Sequence, residues 1–176
     1  MQTQSNFSAL PLKWYTLAKS AIEAEQEARR APLYAAMLCR KGLEELIRWM
    51  YEHDPSLELP YDDSLNALMH QQSFKELIAP TFFPQLHTIR KLGNDAVHTC
   101  KKITPIEAVH SLKLLHGFIF WAANLYGSTP IARPAFDETL IPQGDEAEKT
   151  RDELRKLEDA YIQSNEKLRK LEEELE

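Results

Sequence analysis

A long apolar stretch between Thr104 and Gly127 is the feature that most constrains the fold. Thr104 followed by Pro105 and Glu107 is the pattern of a helix start, and Gly127 is a typical helix end. A helix that is apolar on nearly every side must be buried, either inside a bundle or against another subunit. The apolar residues of its second half are Leu112, Leu114, Leu115, Phe118, Ile119, Phe120, Trp121 and Leu125.

Helical periodicity recurs along the rest of the chain up to residue 127. Five glycines are few for a protein built from sheets and turns, so we predict an all-α fold. It consists of a flexible N-terminus at residues 1–10, a helical bundle at 11–127 and an extended, proline-containing strap at 128–144 anchored by Phe136, Leu140 and Ile141. The predicted helices run from Pro11 to about Arg30, from Pro32 to Asp54 and from Phe82 to His98, with two short ones capped by Asp63 or Ser64 and by Ser73.

Residues 145–176 carry a heptad repeat. Seven of the nine residues at its two core positions are apolar, which predicts a coiled-coil helix and a homodimer. The alternative is a single charged helix stabilised by pairs such as Glu166 with Lys170. The sequence stops within a heptad and without a cap, so we expect the natural chain to continue. The predicted seam consists of Leu154, Leu157, Tyr161, Leu168, Leu171 and Leu175.

The charges are distributed unevenly. Residues 145–176 contain 12 acidic and 7 basic residues of the chain's 27 and 21, which leaves 15 acidic and 14 basic residues before them. The bundle is therefore almost neutral, and any contact with nucleic acid requires a local patch. The alternative is a solvated face in which these cations pair with Glu44, Glu45 and Glu52. The candidate nucleic-acid-binding residues are Arg40, Lys41, Arg90, Lys91, Lys101 and Lys102.

The two cysteines and the N-terminus indicate a cytoplasmic protein without metal or cofactor. Cys39 and Cys100 are isolated in the sequence, as expected for reduced thiols, and the N-terminus lacks a signal pattern. No run of about 18 apolar residues occurs, so we predict no membrane span. The histidines show no metal-ligand spacing, and no glycine-rich phosphate loop is present.

A polar stripe on the predicted helix Phe82–His98 is the candidate functional segment. Arg90, Asn94 and His98 are four residues apart and so share one side of the helix, at the edge of its apolar face. Gly93 lowers helical stability at this point, which predicts that another helix or a ligand approaches closely. Asn94 and His98 either hydrogen-bond the neighbouring loop and helix or contact a nucleotide or nucleic acid.

Four segments of the chain resemble the helical domain at the N-terminus of the motor (R) subunit of type I restriction-modification enzymes. This resemblance covers roughly residues 6–144 and implies a non-catalytic interaction module. The module docks on other subunits of the restriction complex or on itself and meets DNA through the complex. Its ATP-dependent nuclease and motor domains would lie downstream. The four segments are LHTIRKLGNDAVH at 86–98, CRKGLEELIRWMY at 39–51, LPYDDSL at 59–65 and HGFIFW at 116–121.

That domain is in turn similar to HEPN domains, which are helical bundles that often dimerise. Catalytic HEPN ribonucleases carry an arginine, a polar residue next to it, and a histidine four residues after the polar one. Asn94 and His98 match the last two, whereas Gly93 stands at the arginine's place and Arg90 lies one turn earlier. The resemblance therefore implies no catalytic residues. The alternative is an RNA-cleaving or nucleotide-binding defence domain that uses Arg90, Asn94 and His98, with the histidine as general acid and base and the arginine stabilising the phosphorane charge.

Overall fold

The computed structural model describes residues 4–98, 102–144 and 148–174. Over these residues the fold is all-α, as predicted, and contains no strand. The bundle and strap up to Pro142 form one compact unit, and the chain from Gln143 onward forms a second. The elements are α1 (Leu12–Leu17), α2 (Lys19–Glu27), α3 (Pro32–His53), α4 (Leu65–His70), α5 (Gln72–Leu77), α6 (Phe82–His98), α7 (Pro105–Tyr126), a 3-10 turn (Glu138–Leu140) and α8 (Glu148–Glu174).

The apolar helix α7 lies in the core, as predicted from its composition. Its start is a complete capping box, in which the Thr104 hydroxyl accepts a hydrogen bond from the Glu107 backbone and the Glu107 carboxylate accepts one from the Thr104 backbone. Leu115, Phe118 and Phe120 are fully buried. Burial ends toward the C-terminus of the helix, where Leu125 is 46% exposed. The core therefore lies against the middle of α7.

Helix α3 is the centre of the bundle, since it packs against α2, α6 and α7. Pro32 starts it at the first turn, where the missing N–H costs nothing. Its buried side includes Met37, Leu43, Ile47 and Met50. Because α6 and α7 both pack on α3, residues of α3 are placed beside the polar stripe of α6.

The N-terminus was predicted to be flexible over residues 1–10, whereas its described part, residues 4–10, packs against the bundle. Phe7 is completely buried, and Leu10 is also buried. The Asn6 backbone N–H donates a hydrogen bond of 2.9 Å to the Glu25 carboxylate of α2. The Asn6 side chain exchanges two hydrogen bonds with the backbone of Asp137 in the strap. These contacts come from residues far along the chain, so the polar local sequence gave no sign of them.

Two further predictions about local structure need correction. The predicted first helix from Pro11 to Arg30 is two helices, because Ala18 has φ −88° and ψ 10°, outside the helical range. Helix α1 is held in place by Trp14, whose ring packs edge-on against the ring of Trp49 in α3, with the two ring centroids 5.0 Å apart. Ser64 caps α4 as predicted, by accepting a hydrogen bond from the Ala67 N–H. Ser73, however, lies inside α5, and its hydroxyl accepts a hydrogen bond from the Glu58 N–H instead of capping a helix.

The strap from 128 onward is extended, as predicted, apart from its short 3-10 turn. Ile141 is buried, and the ring of Phe136 contacts His116 of α7 at 5.3 Å, so two of the predicted anchors make contact with the bundle. Leu140 is half-buried. At its start the strap is held by Asn124, whose side-chain amide exchanges two hydrogen bonds with the backbone of Ile131.

Helix α8 is a single continuous helix over Glu148–Glu174. Of the predicted seam, Leu157 is 56% exposed, Tyr161 is half-buried and Leu154 is buried. The side chains of Leu168, Leu171 and Leu175 lie outside the described residues. The helix agrees with the predicted secondary structure, while its pairing in a coiled coil stays a prediction.

Candidate functional site

Helices α3 and α6 pack against each other, and they approach closely at Gly93. A Cβ atom at this position would lie 2.8 Å from Arg40 Cδ and nearer still to Arg40 Cβ, distances too short for real contacts. The side-chain stem of Arg40 therefore lies directly over Gly93. The close approach of another helix, predicted from a glycine within a helical pattern, is confirmed.

Arg40 and Arg90 bring two positive charges to this contact. Burial lowers the pKa of Arg90, and the nearby charge of Arg40 lowers it further. Arg40 has one counter-charge, Glu44, at 3.4 Å. Arg90 makes no ion pair within the described residues. The positive charge of Arg90 is thus partly removed from water, and no carboxylate in the described part of the chain pairs with it.

The guanidinium groups also leave hydrogen-bond donors unused. The Nε atoms of Arg40 and Arg90 are both buried and have no hydrogen-bond partner among the described residues. Buried donors normally have a partner, and leaving a charged group without one is costly. A carboxylate or phosphate accepts two N–H groups from one guanidinium at once. The arrangement suits an anion that receives hydrogen bonds from both arginines.

Asn94 and His98 are placed differently from the two arginines. Asn94 is half-buried and His98 is exposed at the last residue of α6. Neither side chain forms a hydrogen bond with a described residue, so the structural bonds that we expected for them are not found there. Eight residues separate Arg90 from His98, which corresponds to a rise of about 12 Å along the helix.

Most of the predicted basic patch is paired or dispersed. Lys41 lies 3.7 Å from Glu45, as the alternative of a solvated face predicted. Lys91 and Lys102 are exposed, and no described contact joins them to Arg40. Lys101 lies outside the described residues. The structure therefore brings together Arg40 and Arg90 from the six candidates.

A buried polar cluster was not predicted from the sequence. The Glu25 carboxylate, completely buried, accepts hydrogen bonds from the Ser5 hydroxyl, the Asn6 backbone and the Asn6 side chain. His116 Nε2 donates to the Asn6 carbonyl at 3.2 Å, and its Nδ1 has no partner among the described residues. Burial lowers the pKa of His116 to about 4. This cluster attaches the N-terminal segment to α2 and α7. Its residues are far apart in the sequence, so no local sequence pattern predicts it.

A second surface feature missed by sequence reasoning lies along α7. Two adjoining clefts of about 410 Å³ and 300 Å³ share His110 and Lys113 of this helix. Arg29, two residues after the end of α2, lines one cleft, and Arg133 of the strap lines the other. The i,i+3 spacing of His110 and Lys113 was the one sequence pattern that could have indicated these clefts. The two arginines come from distant parts of the chain, so the sequence does not show that they lie near this helix.

A family model described as "Domain of unknown function (DUF4145)" matches residues 23–172. No curated protein and no solved structure gives a significant match. Within the described residues, no three His, Cys, Asp or Glu side chains are grouped in a way that suits a metal ion. In that same part of the chain, each helix is too short or too polar to cross a bilayer.

Proposed function

The chain belongs to the DUF4145 family of domains of unknown function, and from that premise we propose that it is a non-catalytic interaction module with an anion site at Arg40 and Arg90. The resemblance to type I restriction motor subunits suggests the setting, in which the module docks within the restriction complex. The anion is then a phosphate of the DNA that the complex handles. The observation that carries the proposal is the half-buried Arg90, facing Arg40 without an acidic partner among the described residues.

The electrostatics support this ligand class. Two guanidinium groups that share a partly buried contact repel each other, and a bound anion turns that repulsion into attraction. Glu44 neutralises part of the charge on Arg40 and also pairs with Arg48, so its carboxylate is divided between two cations. With about two phosphates contacted, the logarithm of the association constant should fall with the logarithm of salt concentration with a slope near −2.

Several features support a binding role over a catalytic one. Gly93 stands where the resemblance to HEPN ribonucleases places an arginine. Arg90 is directed to the contact with α3, two turns away from His98. General acid–base catalysis needs a histidine held in place, and no hydrogen bond from a described residue orients His98.

A second candidate function, RNA cleavage or nucleotide binding by Arg90, Asn94 and His98, is favoured by one observation. Asn94 and His98 use none of their hydrogen-bonding atoms on the described part of the chain, so these atoms remain available to a ligand. Incubation of the purified chain with RNA in the absence of metal tests it. Cleavage that disappears in His98→Ala would support this candidate, and it would contradict the non-catalytic proposal.

The binding proposal is tested by fluorescence anisotropy with a labelled DNA duplex at low and moderate salt. We expect Arg90→Gln and Arg40→Gln each to weaken binding by about tenfold, as expected for the loss of a charge-assisted contact. Lys19→Gln is the matched control, because Lys19 is an exposed cation of the same bundle and lies on α2. Equal losses in all three variants would indicate non-specific attraction and would overturn the site.

A further inference from the structure

The clefts along α7 form one continuous basic groove, which we define by Arg29, Phe82, Gln85, His110, Lys113 and Arg133. Volumes of about 410 Å³ and 300 Å³ lie at the lower end of the range of small-molecule sites, roughly 300–1,000 Å³. All of its walls belong to the unit that ends at Pro142. The groove shares no residue with the contact between Arg40 and Arg90.

The charge of the groove is strongly positive although the bundle as a whole is almost neutral. Arg29, Lys113 and Arg133 face it, against one carboxylate, Glu138. Arg29 Nη1 donates to the Ile141 carbonyl at 3.1 Å, a neutral partner that leaves its charge uncompensated. Neither Lys113 nor Arg133 forms an ion pair with a described residue. Three cations and one anion make this surface a site for a negatively charged ligand.

The fold holds Arg133 at the groove by a specific device. Its guanidinium lies over Gly117 of α7, where an added Cβ would stand 3.3 Å from both Nη atoms. Hydrogen bonds from Asn124 to Ile131 fix the strap just before Arg133, and those between Asn6 and Asp137 fix it just after. A long cationic side chain is thereby held close to Lys113, and less conformational entropy is lost when a ligand binds.

The second cleft also has an aromatic wall and hydrogen-bonding groups. The ring of Phe82, half-buried, is supported from behind by Phe118 and Trp121, with ring centroids 5.4 Å and 5.3 Å away. Gln85, one turn further along α6, supplies an amide that both donates and accepts hydrogen bonds. An aromatic surface beside two cations matches a ligand with a planar body and a phosphate.

We propose that this groove binds a nucleoside phosphate, with the phosphate between Lys113 and Arg133 and the base against Phe82. The ligand is either a free nucleotide or the phosphorylated end of a nucleic-acid strand, since both present the same chemistry. The inference does not rest on the proposed function, because the two sites are built from different residues.

Isothermal titration calorimetry on the full chain tests the proposal with adenosine 5′-monophosphate, adenosine, inorganic phosphate and a short 5′-phosphorylated oligonucleotide. We expect the nucleotide, the phosphorylated strand end or both to bind more tightly than adenosine or phosphate alone. Lys113→Gln and Arg133→Gln should each weaken that binding by at least about tenfold. Binding by the nucleotide alone identifies the free ligand as the source, and binding by the oligonucleotide alone identifies the strand end.

Lys19→Gln serves as the control and should leave this binding unchanged, because Lys19 is an exposed cation outside the groove. Circular dichroism checks that the variants are folded, which the exposed positions of Lys19, Lys113 and Arg133 favour. The proposal is overturned if neither phosphorylated probe binds, if inorganic phosphate binds as tightly as the nucleotide, or if the Lys113 and Arg133 variants bind like the unmodified chain. A loss caused by Arg90→Gln alone would assign the binding to the α3–α6 contact and would also overturn the groove.

Discussion

The stem of Arg40 occupies the place where a side chain on Gly93 would begin. We expect Gly93→Ala to lower the free energy of unfolding by about 2 kcal/mol, since overpacking exceeds the gain in helix propensity. Arg40 Cβ is attached to the α3 backbone, so the helices themselves must move apart. Urea denaturation measures the change. Gly42→Ala is the control, because its Cβ would lie 3.4 Å from its nearest neighbours, and equal stability of the two variants would contradict the prediction.

Arg90→Gln should leave the bundle at least as stable as the unmodified chain. The substitution removes a half-buried charge that faces Arg40, while keeping a polar group at the contact. Any increase in stability should be larger at low than at high salt, because salt screens the repulsion between Arg40 and Arg90 that the substitution removes. Thermal unfolding at two ionic strengths provides the measurement. A marked fall in Tm for Arg90→Gln at low salt would show that Arg90 has a stabilising partner instead.

The buried His116 predicts a loss of stability on mild acidification. Its folded pKa of about 4 lies below the unfolded value of 6.5, so the unfolded chain binds more protons between these values. The contribution of His116 to the free energy of unfolding is fully present above pH 6.5. It falls by up to about 3 kcal/mol as the pH drops toward 4. His116→Gln, which keeps a donor for the Asn6 carbonyl, should show a smaller fall.

Denaturation curves at several pH values separate this effect from that of the carboxylates. Hydrogen bonds from Ser56 and Tyr126 lower the pKa of Asp54 below its ordinary 3.8, so its contribution is lost only in more acidic solution. Identical pH dependence of His116→Gln and the unmodified chain between pH 6.5 and 4 would rule out the assignment to His116.

Cys39 should resist thiol reagents in the folded chain. It is completely buried, and burial raises the pKa of its thiol to about 12, so very little reactive thiolate exists near neutral pH. In a Cys100→Ser background, a chromogenic disulfide reagent should react with Cys39 at the rate of unfolding. Reaction as fast as that of a small free thiol would show that this part of the core opens readily.

The heptads of α8 predict a dimer that depends on its apolar seam. Leu157 is 56% exposed in the single chain, and a partner helix would cover it. We expect light scattering to give twice the chain mass of 20.3 kDa, and Leu157→Glu to reduce it to the monomer value. Lys156→Glu is the control, since it changes a neighbouring exposed position outside the seam. A monomer at high concentration would contradict the coiled coil.

The helices followed from the sequence where their signals are local. The bounds of α6 and the start of α7 at Thr104 and Pro105 depend on periodicity and on residues within one turn, so both were predicted. The burial of Phe7 depends on α2 and on the strap, and no nearby residue reveals it. For the candidate site, Arg40 and Arg90 were recognised as cations. Their juxtaposition depends on which turn of α3 packs over Gly93, which only the tertiary structure specifies.

The hydrogen bonds between Asn6 and Asp137 also set an order of events during synthesis. The two residues are 131 positions apart, so the segment around Asn6 lacks its partner until almost the whole bundle has been made. Until then Glu25 and His116 stay open to water. We therefore expect docking of the segment around Asn6 to be the last folding step of the bundle, and the step that converts a collapsed chain into the native bundle.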